Sequence, residues 1–165
     1  MMLVWSGYSY KNYEIISAII SKREDYLMSK LFVESSIEIN APASRVWQVF
    51  TDPAMTRQIG GEYVSDWKVG SSFGWKGLDG KMVTNGTILK IEPEKLLQHN
   101  LFNSVGSVNS VITYEFSEKN GVSTIYARED FTQPVTDQEY ADAVEGWEAA
   151  LLAVKGIAER MKIDE

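Results

Sequence analysis

The chain has 165 residues, one histidine, no cysteine and a net charge of −7 at neutral pH. That length suits one domain with a full-sized core, and the missing cysteines exclude disulfides, thiolate metal centres and cysteine nucleophiles. The acidic balance repels phosphate backbones and anionic lipid, so neither nucleic acid nor a membrane is expected as a partner. No apolar run nears the roughly 20 residues of a membrane-spanning helix, and no secretory signal opens the chain, which places it in the cytoplasm.

Residues 1–27 differ from the rest. Trp5, Tyr8, Tyr10 and Tyr13 crowd the start, and Ile15, Ile16, Ile19 and Ile20 then fit a short helix. Met28-Ser29-Lys30 reads as a natural beginning, and Lys22-Arg23-Glu24-Asp25 can be encoded by a purine run resembling a bacterial ribosome-binding site. Residues 1–27 are therefore expected to be an extension, a translated leader, with the domain spanning 28–165. A helix used for dimerisation is the competing expectation, which leaves monomer and homodimer both open.

Alternation over 31–40 predicts a first strand, with Val33, Ser35, Ile37 and Ile39 on one side. Ala41-Pro42 starts a helix with Val46, Trp47 and Phe50 on its apolar face, and Pro53 begins a second, shorter helical turn. Strands follow at 63–69 and 71–78, and Asp79-Gly80 is a two-residue hairpin signal leading into 82–91. Glu92-Pro93-Glu94 turns the chain, then 96–102, 108–116 and 122–131 complete six or seven strands, with Asn120-Gly121 marking the last hairpin.

Beyond them Tyr140, Val144, Trp147, Leu151, Val154, Ala158 and Met161 recur in alternating steps of four and three, one face of a long helix. Thr136 and Glu139 form a capping box ahead of it, so the helix starts near Asp137 and runs for about 25 residues, or about 38 Å. Such a helix needs a broad apolar surface, and a curved antiparallel sheet supplies one.

The order of these elements resembles the helix-grip fold of the START-like, birch-pollen-allergen-like superfamily. Ile37-Glu38-Ile39-Asn40-Ala41-Pro42 with Val46-Trp47, Thr51-Asp52-Pro53, Asp66-Trp67-Lys68-Val69-Gly70-Ser71, Gly86-Thr87-Ile88-Leu89-Lys90-Ile91-Glu92-Pro93 and Gly146-Trp147 are similar to motifs of the SRPBCC family. Within it they best match the activators of the ninety-kilodalton heat-shock protein's ATPase. The resemblance implies an α+β fold, no cofactor and no metal.

A curved sheet and a straight helix cannot touch everywhere, so a cavity for a small hydrophobic or amphipathic ligand is expected between them. Phe73 and Trp75 share one strand face, with Thr84 expected opposite Trp75 and Gly86 opposite Phe73, the glycine leaving bare backbone under a ring. Tyr114, Phe116, Trp147 and Leu151 are expected on the same concave side, and Phe102 to Ser107 at its opening. If Asn120-Gly121 is a two-residue turn, Ile125 and Ala127 face inward. If Lys119-Asn120-Gly121 is a three-residue loop, Thr124, Tyr126 and Arg128 do. The family's usual strand phase, as the resemblance implies it, favours the second. Arg128 would then need an anion, either Asp130 or Glu115 as a structural partner or a ligand carboxylate, with Tyr126 and Asn100 as further polar contacts.

His99 cannot build a metal site alone and is expected at a surface or edge-strand position. The expected ligand-binding set is thus Phe73, Trp75, Asn100, Phe102, Tyr114, Tyr126, Arg128, Trp147 and Leu151, with no catalytic residue. A noncatalytic binding protein leads. A chaperone-activating interaction module ranks lower, these residues holding no counterpart of the eukaryotic activators' separate amino-terminal domain. An enzyme similar to polyketide cyclases and aromatases, using Tyr114, Tyr126, Arg128 and His99, is the other alternative, and a filled cavity would leave partner binding alone.

Overall fold

Seven strands form one antiparallel sheet in the order β1-β7-β6-β5-β4-β3-β2. A computed structural model describes residues 7–28 and 30–160. Helix α1 spans Gly7–Met28, followed by β1 (Phe32–Ile39), α2 (Ala43–Thr51), α3 (Pro53–Thr56) and a single 3-10 turn, Arg57–Ile59. Then come β2 (Gly61–Ser65), β3 (Ser72–Gly77), β4 (Gly86–Glu92), β5 (Leu96–Phe102), β6 (Val108–Lys119), β7 (Val122–Phe131) and α4 (Asp137–Arg160). This is the helix-grip architecture that the order of motifs implied.

Period-two burial sets the inner face. Val33 and Ile39 of β1, Leu97 of β5, Ile112, Tyr114 and Phe116 of β6, and Ile125 and Ala127 of β7 are all buried. Trp147, Leu151, Val154, Ile157 and Ala158 of α4 close over that face. Met161, the last member of the helical stripe, lies outside the described residues. The capping box forms in both directions: Glu139 N–H donates to Thr136 Oγ1 at 3.2 Å, and Thr136 N–H donates to Glu139 Oε2 at 2.8 Å.

Curvature comes from weak and irregular pairing. β3 and β4 meet only at Ser72 with Thr87 and Phe73 with Gly86, and bulges interrupt β4–β5 and β5–β6. The tight turn after β3 holds three residues rather than two, Leu78 to Gly80, because Gly77 N–H donates to Lys81 O across it and Gly80 takes φ +81°. The irregular stretch before β4 restores the phase, so the expected Phe73–Gly86 pair forms. Gly86 is required for a different reason than expected: a Cβ there would collide with the Asn100 carbonyl on β5. The ring over bare backbone is Trp75, whose indole would lie 2.6 Å from a Cβ at Gly61.

The last hairpin overturns the three-residue loop. Lys119 pairs with Val122 across a two-residue turn in which Asn120 and Gly121 have φ of +54° and +76°. Asn-Gly tolerates two consecutive left-handed residues, and that twist matches the flanking strands. Tyr114 therefore pairs with Ala127 and Phe116 with Ile125.

Along α1, Tyr13, Ile15, Ile16, Ile19 and Ile20 are exposed, while near its end the Tyr26 hydroxyl donates to Asp137 Oδ1 at 2.5 Å. Lys30 also contacts Tyr26 and Asp137.

Leu151 is buried and its neighbour Leu152 is 60% exposed. Leu151→Ala is expected to cost about 2–5 kcal/mol in urea unfolding and Leu152→Ala under about 0.5 kcal/mol. Equal losses would mean that α4 presents a different face to the sheet.

Candidate functional site

Where α4 crosses the sheet it lies close to β1 and α2, and it parts from the strands on the other side. Two adjoining chambers fill the gap. The outer one, about 400 Å³, is bounded by Val49 and Phe50 of α2, Ile59, Tyr63, Trp75 and Tyr114, with Trp147, Leu151 and Val154 of α4 opposite. The second, termed inner because the mid-sheet strands β5, β6 and β7 wall it, holds about 290 Å³ among Phe73, Trp75, Thr84, His99, Leu101, Ile112 and Glu129 and is the more open of the two. Tyr63, Trp75, Tyr114, Trp147 and Ala150 line both.

Small residues on α4 keep the space open. Ala143, Gly146, Ala149, Ala150 and Ala153 line the chambers beside the large apolar stripe, and a Cβ at Gly146 would meet nothing within 4 Å. Ala149 and Ala150 are exposed, so the opening runs along this flank of α4. Residues 102–107, expected at the mouth, line neither chamber.

The aromatic wall is braced ring against ring. Tyr63 stacks on Phe50 at 5.9 Å and on Phe73 at 5.0 Å, and meets the edge of Trp75 at 4.9 Å. Tyr114 makes edge contacts with Phe50 and with Trp147, at 5.1 and 5.5 Å. Such contacts hold the rings in place without filling the space between them.

Five of the nine expected ligand residues, Phe73, Trp75, Tyr114, Trp147 and Leu151, line the chambers. Four do not. Tyr126 and Arg128 alternate with inward Ile125 and Ala127 and therefore stand on the outer face, as the two-residue turn dictates. There Arg128 donates to Asp130 at 2.8–3.0 Å, contacts Glu34 and lies 3.8 Å over the Phe32 ring, while the Tyr126 hydroxyl donates to Glu34 at 2.5 Å. Asp130, foremost, raises the Arg128 pKa further. Arg128 is thus held by protein carboxylates, the structural partner foreseen for it.

Asn100 and Phe102 alternate with inward His99 and Leu101, and so leave the cavity too. Asn100 Oδ1 accepts from Thr87 N–H at 2.8 Å, fastening β4 to β5, and Phe102 is partly exposed.

Two polar residues outside the expected set, His99 and Glu129, line the inner chamber. His99, expected near a surface, is 3% exposed, with its ring 4.2 Å from Phe73 and on the inner-chamber wall. Its Nδ1 lies 3.1 Å from the Asn100 carbonyl, which can only accept, so Nδ1 carries the proton and Nε2 the lone pair. Nε2 is buried with no protein partner among the described residues. Burial drives the pKa of His99 down to about 4, against the smaller opposing effect of that backbone bond. Glu129 projects inward from β7, accepting from Ser110 Oγ at 2.6 Å and from the Trp147 indole N–H at 2.9 Å. Burial raises the pKa of Tyr63 and, more strongly, that of Tyr114, which the neighbouring Tyr63 pushes further up. Among the described residues no cluster of metal-binding side chains converges, and no helix is long and apolar enough to cross a membrane.

A curved sheet gripping one long helix, with a cavity open along the helix flank, defines a START-like helix-grip protein. A family model described as Activator of Hsp90 ATPase homolog 1-like protein matches residues 40–159, and the chain belongs to that family. Protein MLL2253 from Mesorhizobium loti is 18% identical, with a TM-score of 0.67 over 78% of this chain and 97% of that one. ChR145 from Cytophaga hutchinsonii is 27% identical, with a TM-score of 0.66 over 82% and 98%. The Aha1 dimer from Colwellia psychrerythraea is 17% identical, with a TM-score of 0.63 over 78% and 96%. No curated protein matches the chain.

His99 has a consequence for stability. Between its ordinary 6.5 and its folded value of about 4 the unfolded chain binds the extra proton, so stability falls as pH falls through that window. From pH 7 to pH 5 the loss is expected to be about 2 kcal/mol. His99→Phe removes this component while leaving the other titratable lining groups, Tyr63, Tyr114 and Glu129, in place. Urea unfolding of both proteins at the two pH values measures the difference, and parallel pH profiles would contradict a buried neutral imidazole.

Proposed function

We propose that this chain is a cytoplasmic binding protein for a small hydrophobic or amphipathic molecule, taken up between the sheet and α4 without catalysis. The observation that carries this is the open space itself: about 400 Å³ in the outer chamber alone, bounded by aromatic and aliphatic side chains with few polar groups. That volume falls in the lower part of the roughly 300–1,000 Å³ typical of small-molecule sites. Function is assigned to residues 28–165, which supply every residue that lines the two chambers, so one chain provides the whole site.

A cyclase-like enzyme is the second reading, supported by the convergence of His99, Glu129, Tyr63 and Tyr114 on one chamber. Efficient general acid–base catalysts have pKa values near the working pH. Burial moves His99 down to about 4 and both tyrosines above their ordinary value, so these three stay neutral at pH 7 and hold rather than trade protons. Stimulation of a chaperone ATPase, favoured by the family's description, would use the outer surface and would not need the cavity.

Native mass spectrometry of the purified protein is expected to reveal a copurifying small molecule. Titration with N-phenyl-1-naphthylamine, a neutral fluorescent probe, is expected to give saturable enhancement. Ala150→Trp, which fills the border of both chambers, is expected to weaken probe binding by about tenfold or more. Arg128→Leu, on the outer face, is expected to leave it unchanged. Equal probe binding by wild type and Ala150→Trp would place the probe elsewhere and defeat the proposal.

A further inference from the structure

Beside the hydroxyls of Tyr63, Thr84 and Tyr114 and the indole of Trp75, the wall of the inner chamber carries two groups that can only accept hydrogen bonds from a ligand, Glu129 and His99. Glu129 receives Ser110 Oγ on one oxygen and the Trp147 indole N–H on the other. A carboxylate offers about four lone-pair positions, so these two donors fix its orientation and leave acceptor capacity on the chamber wall. His99 adds a second acceptor: with Nδ1 committed to the Asn100 carbonyl, the unpartnered Nε2 can only accept. His99, Ile112 and Glu129 form one row across β5, β6 and β7, putting the acceptors two strand spacings, about 10 Å, apart at the backbone.

No lysine or arginine lines either chamber. Arg128, the nearest cation in sequence to Glu129, is on the opposite face and already paired with Asp130. A ligand carboxylate would therefore meet Glu129 with no compensating cation, inside walls whose low polarity strengthens the repulsion. A hydroxyl or N–H finds the reverse, a charged acceptor and a buried nitrogen whose missing partner is itself costly.

Resting on the assignment of this gap as a ligand site, we propose that the inner chamber selects aromatic molecules bearing a neutral hydroxyl or N–H donor, bound through Glu129 with His99 as second acceptor, and turns away carboxylates. Nε2 itself is covered in the unliganded protein, exposing less than 1 Å². The ligand must shift the imidazole or a neighbouring ring to reach it, whereas Glu129 is partly exposed.

Three probes on one ring skeleton test this: naphthalene, 2-naphthol and 2-naphthoate, each measured at pH 7 by displacement of N-phenyl-1-naphthylamine from the full chain. 2-Naphthol is expected to bind about tenfold tighter than naphthalene, the worth of one hydrogen bond to a charged acceptor, and 2-naphthoate weaker than either. Glu129→Gln, which keeps the shape and removes the charge, is expected to narrow the naphthol advantage and to improve naphthoate binding. If that variant does not fold, the wild-type series decides alone. His99 is the sole histidine, so labelling histidine with nitrogen-15 gives one ring to follow. The free protein is expected to carry its ring proton on Nδ1, and 2-naphthol to shift the Nε2 resonance.

Equal affinity for naphthol and naphthalene, or tightest binding of naphthoate, would overturn the donor preference while leaving the cavity a ligand site. A ring proton found on Nε2 would remove His99 as an acceptor and overturn its part. Failure of all three probes to bind would overturn both this inference and the ligand-site reading.

Discussion

Everything distinctive about this molecule follows from a helix that is fastened along one side and free along the other. Toward its carboxyl end, α4 is tied to the end of β1: Lys155 Nζ donates to the Glu38 carbonyl at 2.7 Å, and Glu159 Oε1 accepts from Asn40 N–H at 2.9 Å. Toward the other end, the Trp147 indole is fixed on Glu129, and the capping box sets where the helix begins. Between these ties the large apolar stripe meets the sheet, while alanine and glycine face the remaining strands. Small side chains cannot bridge the gap that curvature opens, and the braced rings opposite do not collapse into it. The cavity is thus a consequence of side-chain size on one helix flank.

Most of the architecture was legible in the chain because its signals are local and physically redundant. Seven apolar positions at helical spacing, a capping box and a run of turn signals each specify an element without reference to the rest. The cavity was legible only in part. Ala143, Gly146, Ala150 and Ala153 also recur in steps of three and four, a second stripe beside the first, and that pattern could have shown which flank of α4 stands off the sheet.

The site chemistry was harder to read because one turn sets its sign. A single residue more or less between β6 and β7 exchanges Ile125, Ala127 and Glu129 for Thr124, Tyr126 and Arg128 on the inner face. The Asn120-Gly121 pair and the apolar count of the strand both pointed to the shorter loop, and the structure follows them rather than the phase implied by family resemblance. His99 was missed for a related reason. Its neighbours Gln98 and Asn100 look like the exposed side of an edge strand, yet β5 lies inside the sheet, and alternation sends the middle residue of the three inward beside Phe73.

These corrections reverse the electrostatics of the interior. A buried arginine would have required a buried anion and favoured acidic ligands. The protein instead places its arginine among Asp130, Glu34 and the Phe32 ring outside, and admits a carboxylate inside because two neutral donors, a serine hydroxyl and an indole, hold it. Hydrogen bonds to a charged group are among the strongest a protein makes, so Glu129 can remain beside an apolar space without a cation. His99 complements it by staying neutral, avoiding a buried charge. The fold supplies the gap and the strand register supplies its polarity. Because one loop residue is enough to invert that polarity, chains sharing this architecture can differ sharply in what they admit, and chamber chemistry has to be read from each chain's own hairpins.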